Sequence, residues 1–216
     1  MKSLLHRFVF VGTIFLLVIS AVSQDKPDPW LLFADGERGA INAHTTRKDL
    51  VRIYGPSNVV DKDVDIGEGE TEAGTVLFPK DPEREIEILW QDNTTTQPKS
   101  VQIQGRSSRW KAVNNISLGT ALKTLEQLNG RPFKLAGFAW DYAGTVYSWE
   151  TGSLAAEFDS GHGHVFLRLD SNVPPVADKD VNEVMGDREF SSSHRVMQKL
   201  NPTVYQIIWV FPSPQN

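Results

Sequence analysis

The chain reads as an α+β protein, a tandem repeat of a short helix packed on an antiparallel β-meander with a C-terminal strand. Three observations predict this. Ile41, Leu50, Ile53 and Gly55 recur as Ile116, Leu125, Leu128 and Gly130 at a constant offset of 116 − 41 = 75 residues, and a repeat of that length holds one helix and a few strands. Short runs that alternate apolar and polar residues follow the helical stretches, the period-2 pattern of a strand with one face in water. Near the end, Val204 to Phe211 forms a strongly β-prone run.

At the N-terminus, Lys2 and Arg7 give a positive start, Phe8 to Val22 is apolar, and Ala21-Val22-Ser23 offers small residues at the cleavage positions. This is the layout of a signal peptide over 1–23. The alternative is an uncleaved anchor, but the apolar run is shorter than the ~20 residues of a spanning helix. The expectation is therefore cleavage after Ser23, a secreted or periplasmic protein, and no membrane span after cleavage. The chain holds no cysteine, which excludes disulfides, a lipidation cysteine and thiolate chemistry. Its 22 basic and 27 acidic residues give a net charge of −5, more negative once Lys2 and Arg7 are removed. Arg106, Arg109 and Lys111 are the nearest approach to a phosphate-tracking stripe, and no nucleic-acid partner is expected.

Residues 24–39 form a lead-in, where Asp25 to Pro29 are turn formers and Trp30 to Phe33 an apolar cluster able to anchor it. The first repeat covers 40–113. Thr45 or Thr46 caps its helix, Asp49 stands in capping-box position, Leu50 and Ile53 supply the apolar face, and Tyr54-Gly55-Pro56 stops it. Strand-like runs follow at Val59-Val60, Thr75 to Phe78, Glu85 to Trp90 and Ser100 to Gln104. Ile86 and Ile88 alternate with Glu85 and Glu87, and Val101 and Ile103 alternate with Gln102 and Gln104, so two half-buried strands joined by Asp92 to Pro98 are predicted.

The second repeat covers 114–170. Leu118, Leu122, Leu125 and Leu128 form its helical stripe, and Asn129-Gly130-Arg131-Pro132 ends it. Phe133 to Trp140 and Thr145 to Trp149 read as a hairpin around Asp141 to Gly144, followed by Leu154 to Phe158 and Val165 to Leu169. Residues 171–216 are a loop and C-terminal strand. Pro174-Pro175 marks the loop, Arg188 to Leu200 fits helix or strand, and the Val204 run either adds an edge strand or packs beneath the lead-in.

The segments Ile41…Thr46…Leu50…Ile53-Tyr54-Gly55-Pro56 and Ile116…Thr120…Leu125…Leu128-Asn129-Gly130 resemble the repeat unit of the small outer-membrane assembly lipoprotein fold and of the tandem-repeat β-lactamase inhibitor proteins. With Gly67-Glu68-Gly69-Glu70-Thr71, Leu77-Phe78-Pro79 and Gly137 to Tyr142, the chain also resembles an exported bacterial protein family. The resemblance implies a fold over roughly 40–170 and a protein-binding role.

Four constellations bear on chemistry. Asp61, Asp63 and Asp65, with Glu72 in the twelfth place, follow the ligand order of a calcium loop, although Ile66 stands where that loop needs glycine; the alternative is a hydrated acidic strand or loop. Asp159, His162 and His164 offer a zinc or copper set, against a Gly-rich turn with exposed imidazoles. Ser191 to Ser193 lie beside His194, but no nucleophile elbow occurs. If extended, Phe138, Trp140 and Tyr142 share one strand face, as do Tyr147 and Trp149 on the returning strand; they form either the core or a binding face, with Tyr142 at the bend the most exposed. The function expected is a non-catalytic module that binds a protein or small ligand and needs no cofactor. The alternative is a metal-dependent hydrolase or calcium-stabilised module, using calcium or zinc.

Overall fold

Two hydrogen bonds open each helical segment in the same way. The Asn42 amide donates to Thr45 Oγ1 (2.9 Å) and the Thr45 amide to the Asn42 carbonyl; the Ser117 amide donates to Thr120 Oγ1 (3.0 Å) and the Thr120 amide to the Ser117 carbonyl. Helices α1 (Arg47–Tyr54) and α2 (Leu122–Asn129) follow, and each stops at a glycine with positive φ, Gly55 at 82° and Gly130 at 74°, a conformation that favours glycine. Ile41, Ile116, Leu50 and Leu125 are buried at equivalent places, whereas Ile53 is 57% exposed and Leu128 36%. The apolar face is thus narrower than the spacing suggests, because each helix lays only one edge on the core. These observations come from a computed structural model that describes residues 30–32, 41–160, 163–170 and 179–213; the expected signal peptide, most of the lead-in and His162 lie outside them.

Beyond the helices the segments diverge. After α1 come β1 (Val59–Gly67), β2 (Glu70–Leu77), β3 (Ile86–Trp90) and β4 (Pro98–Gln104), an antiparallel meander. After α2 come β5 (Lys134–Ala136), β6 (Val146–Ser148), α3 (Ser153–Phe158), β7 (Asp159–Ser160) and β8 (Gly163–Asp170). The remaining elements are α4 (Lys179–Asn182), β9 (Glu189–Ser191), α5 (Arg195–Leu200) and β10 (Thr203–Val210). Two antiparallel sheets result: one of seven strands in the order β1-β2-β3-β4-β10-β8-β7, and one of three in the order β6-β5-β9. The fold is therefore α+β with antiparallel sheets.

Three expectations change. The Val204 run is no edge strand: β10 pairs on both sides, with β4 and β8, and its Val204, Ile207 and Trp209 side chains are buried in the core. The strand from Phe133 ends at Ala136, since Ala139 turns the chain with φ 64°. Leu154 to Phe158 is helical. Its start has no local side-chain cap; instead Asn129 Oδ1 accepts from the Leu154 amide (3.2 Å) across the fold. The acidic run 61–65 is a strand continuous with Val59-Val60, with Asp61, Asp63 and Asp65 exposed, as the hydrated-strand reading has it.

The inner face of the large sheet carries Ile88, Val101, Ile103, Leu167, Ile207 and Trp209 into a core shared with Leu50, Leu122, Leu125, Phe133, Leu135 and Met197. The lead-in joins it: Leu32 is fully buried and the Trp30 ring meets Trp110 edge-on at 5.3 Å. On the other face of the sheet a small separate cluster, Val64, Val76 and Leu89, lies at the β1–β3 end. No helix of the described residues is long and apolar enough to cross a membrane.

Candidate functional site

Strand alternation sends Gln102 and Gln104 of β4, Gln206 of β10 and Arg168 of β8 to the outer face. The register sets them side by side: Gln104 opposite Gln206, and Gln206 opposite Arg168. On an open antiparallel sheet such a face is normally wet. Here Gln102 and Gln206 are each only 7% exposed. The β1–β2 hairpin bends over them, its tip turned by Gly67, Glu68 and Gly69, all at positive φ, and the Asp65 carbonyl accepts from Gln102 Nε2 (3.2 Å).

Buried amides must be paired, and these pair with one another. Gln102 Nε2 donates to Glu87 Oε2 (2.7 Å), Gln206 Nε2 to Gln102 Oε1 (3.3 Å), and Arg168 Nη1 to Gln206 Oε1 (3.2 Å); Arg168 Nη2 donates to the Asp141 carbonyl. The result is a hydrogen-bonded chain of side chains across β3, β4, β10 and β8. Arg168 thus meets neutral oxygens, and its Nε is buried with no hydrogen-bond partner among the described residues. The guanidinium stands 5.6 Å from the Tyr205 ring centre.

Tyr205 reaches this face through a bulge. The register slips between Val204 and Gln206, so the consecutive residues Tyr205 and Gln206 both line the same groove, which regular alternation forbids. Burial pushes the Tyr205 phenol above its usual pKa, Asp170 adds to this and Arg168 opposes it.

The groove over this floor has a volume of about 350 Å³. Its rim is the hairpin tip on one side and the Asp141 turn on the other, joined where Tyr142 OH donates to Glu68 Oε1 (2.8 Å). That bond to a carboxylate is the main cause raising the Tyr142 pKa. A second cavity of about 710 Å³ adjoins it, bounded by Arg106, Gly119, Asp170 and Thr203. Gln104 and Tyr205 line both.

Of the five aromatics singled out in the sequence, Tyr142 alone stands on this rim, 44% exposed. Trp140 is half-buried beside it, ring centres 5.4 Å apart. Phe138 and Trp149 are buried, Trp149 between Phe133 and Phe158. Tyr147 is exposed on the small sheet. They share no common face because the chain turns at Ala139, at positive φ between Phe138 and Trp140, and β6 ends at Ser148, before Trp149.

The acidic set does not converge. On an extended strand Asp61 and Asp65 are about 13 Å apart along the chain. Asp61 takes Arg47 Nε (2.7 Å) and Thr75 Oγ1 (3.1 Å), and Asp65 caps the hairpin turn by accepting from the Gly67 amide. Glu72 is opposite Val64, so it faces the other side of the sheet from Asp61, Asp63 and Asp65, and it pairs with Lys99 (2.6 Å). Asp159 and His164 do meet, at 2.8 Å across β7 and β8. Among the described residues no group of three or more His, Asp or Glu is arranged to hold a metal. Near α5, His194 Nδ1 caps the helix by accepting from the Val196 amide, and the buried Ser192 hydroxyl bonds Glu126 (2.6 Å); both groups are committed to structure.

Gln102, Gln104, Arg168, Tyr205 and Gln206 escaped the sequence reading. The alternation of Gln102 and Gln104 with Val101 and Ile103 was visible, but it reads as a solvated face. The chain matches no known protein family, no curated protein and no solved structure.

Proposed function

We propose that this protein is an exported, non-catalytic binding module whose ligand occupies the outer-face groove between the β1–β2 hairpin tip and the Asp141 turn. The observation that carries the reading is the hydrogen-bonded chain Glu87–Gln102–Gln206–Arg168, its two glutamines buried, at the floor of an open groove. Side chains already locked by mutual hydrogen bonds lose little entropy when a ligand arrives, which is how preorganised sites gain affinity. The volume falls in the range of small-ligand sites. The leader-like residues 1–23 support export.

The reading is tested on residues 24–216 by titrating three ligand classes: neutral saccharides, amino acids with short peptides, and small carboxylates. The expected outcome is that one class perturbs the Gln102 and Gln206 side-chain amide resonances and raises the melting temperature. A native-state ligand at 100 times its Kd adds about 2.7 kcal/mol, worth several degrees in a chain of this size. Loss of both effects in Arg168→Gln, with the fold intact, locates the site. If no class moves either observable at millimolar concentration, the groove is not a ligand site.

A further inference from the structure

We infer that the groove takes a neutral oligosaccharide, seated along the two adjoining cavities with a sugar ring against Tyr205; this rests on the binding-module reading above. Three features of the lining select that chemistry.

Its donors and acceptors alternate. The amides of Gln104 and Gln206 offer both, Arg168 offers only donors, and the Gln102 amide oxygen, the Asp65 carbonyl and the Glu68 carboxylate offer only acceptors. A sugar hydroxyl both donates and accepts, so neighbouring hydroxyls satisfy such a surface where a purely accepting or purely donating ligand leaves groups unmatched. Arg168 Nε, buried and without a partner among the described residues, is a donor of the kind that water or a ligand oxygen ordinarily meets.

The charge disfavours anions. Among the described residues, Glu68 and Asp141 line the first cavity with Arg168, and Asp170 lines the second with Arg106. A phosphate or carboxylate entering there meets more like charge than opposite charge.

The backbone disfavours an extended peptide. The groove lies on a sheet face, and the main-chain groups of β4, β10 and β8 at its floor are spent on their ladders. Strand addition needs a free edge. Recognition must run through side chains, with the half-buried Tyr205 ring as the apolar platform. Because Tyr205 and Gln104 line both cavities, a ligand crossing from one to the other passes over them, and a chain of sugars fits that path better than a single ring.

The test is calorimetric titration of residues 24–216 with neutral mono-, di-, tri- and tetrasaccharides of glucose, xylose and N-acetylglucosamine, beside tripeptides and free amino acids. Expected is saccharide binding that strengthens from one to three units and weakens roughly tenfold, a Kd change worth about 1.4 kcal/mol, in Tyr205→Ala. Gln104→Ala, at an exposed position that the fold does not need, is expected to weaken it severalfold, and Tyr205→Phe to keep it. If peptides or amino acids bind in place of sugars and lose affinity in the same variants, the saccharide inference falls and the binding-module reading stands. Saccharide binding indifferent to Tyr205→Ala and Gln104→Ala overturns the seat proposed here. If nothing binds, both fall together.

Discussion

Asn129 ties three segments with one side chain. It is 1% exposed; its Nδ2 donates to the carbonyls of Arg131 (3.0 Å) and Trp149 (3.1 Å), and its Oδ1 accepts from the Leu154 amide. The last residue of α2 therefore caps α3. Gly152 lies so close to this amide that a Cβ there would collide with it, so the bracket fits only without a side chain at that position. Asn129→Leu takes the partner from the Arg131 carbonyl and the Leu154 amide, while the Trp149 carbonyl keeps the Gly152 amide, and each buried orphan costs about 1–3 kcal/mol. The variant is expected to lose about 2 kcal/mol or more in urea unfolding; a loss under about 1 kcal/mol would show that water replaces the bracket. In sequence, Asn129-Gly130 reads as a helix stop and nothing more, because its partner stands 25 residues on.

The helices and the hairpin show how far local chemistry reaches. Thr46 and Asp49 form the reciprocal capping box that their spacing predicts, Thr46 Oγ1 accepting from the Asp49 amide (3.0 Å) and Asp49 Oδ2 from the Thr46 amide (3.3 Å). Thr46→Ala is expected to cost about 1 kcal/mol by thermal melting. The Thr46 hydrogen bond, with Arg52 beside it, holds the Asp49 carboxyl below its ordinary value. A carboxyl depressed in the folded state contributes stability above its unfolded pKa, about 4, and loses it as pH falls through the lower folded value. Asp49→Asn is therefore expected to flatten that part of the acid limb, followed by urea midpoint from pH 2 to 6. Helix α2 has Ala121 at the equivalent place, extended and without a side-chain cap. Ala121→Ser is expected to add about 0.5–1 kcal/mol; no gain would mean that the pairing of Ala121 with Thr203 already fixes that turn. In the β1–β2 hairpin, Val64, Val76 and Leu89 cluster on the outer face, a second small core beside the covered groove floor. The charges of Asp61, Lys62, Asp63 and Asp65 meanwhile stand on an edge strand, where they discourage pairing with another chain.

At the scale of the molecule, the last strand sits in the middle. β10 lies between β4 and β8, so the large sheet is completed only when this strand inserts into it, and the Gln206 link between Gln102 and Arg168 forms at that step. A chain ending at residue 202 is expected to lose the cooperative melting transition and the near-ultraviolet signal of its buried tryptophans. Retention of a sharp transition would show that the β1–β4 meander and the helices form a core without β10. Because the groove floor spans β3, β4, β10 and β8, ligand-induced stabilisation should be lost in the truncated chain as well.

Sequence by itself determined what depends on neighbours within three or four residues: the cap and stop of α1, the stop of α2, and the alternation that places Val101, Ile103 and Ile88 inward and Gln102, Gln104 and Glu87 outward. Those interactions close locally, so they are written locally. Tertiary structure decided everything that depends on which surfaces meet. A period of two separates two faces without saying which is covered, so Gln102 reads as wet until the hairpin tip lies over it. The bulge that turns Tyr205 onto the same side is a mismatch between strands, and no single strand encodes it. Arg168 became the end of a hydrogen-bonded chain through two buried glutamines only because β8 and β4 flank the same strand, an adjacency between residues 66 apart that the apolar pattern leaves free.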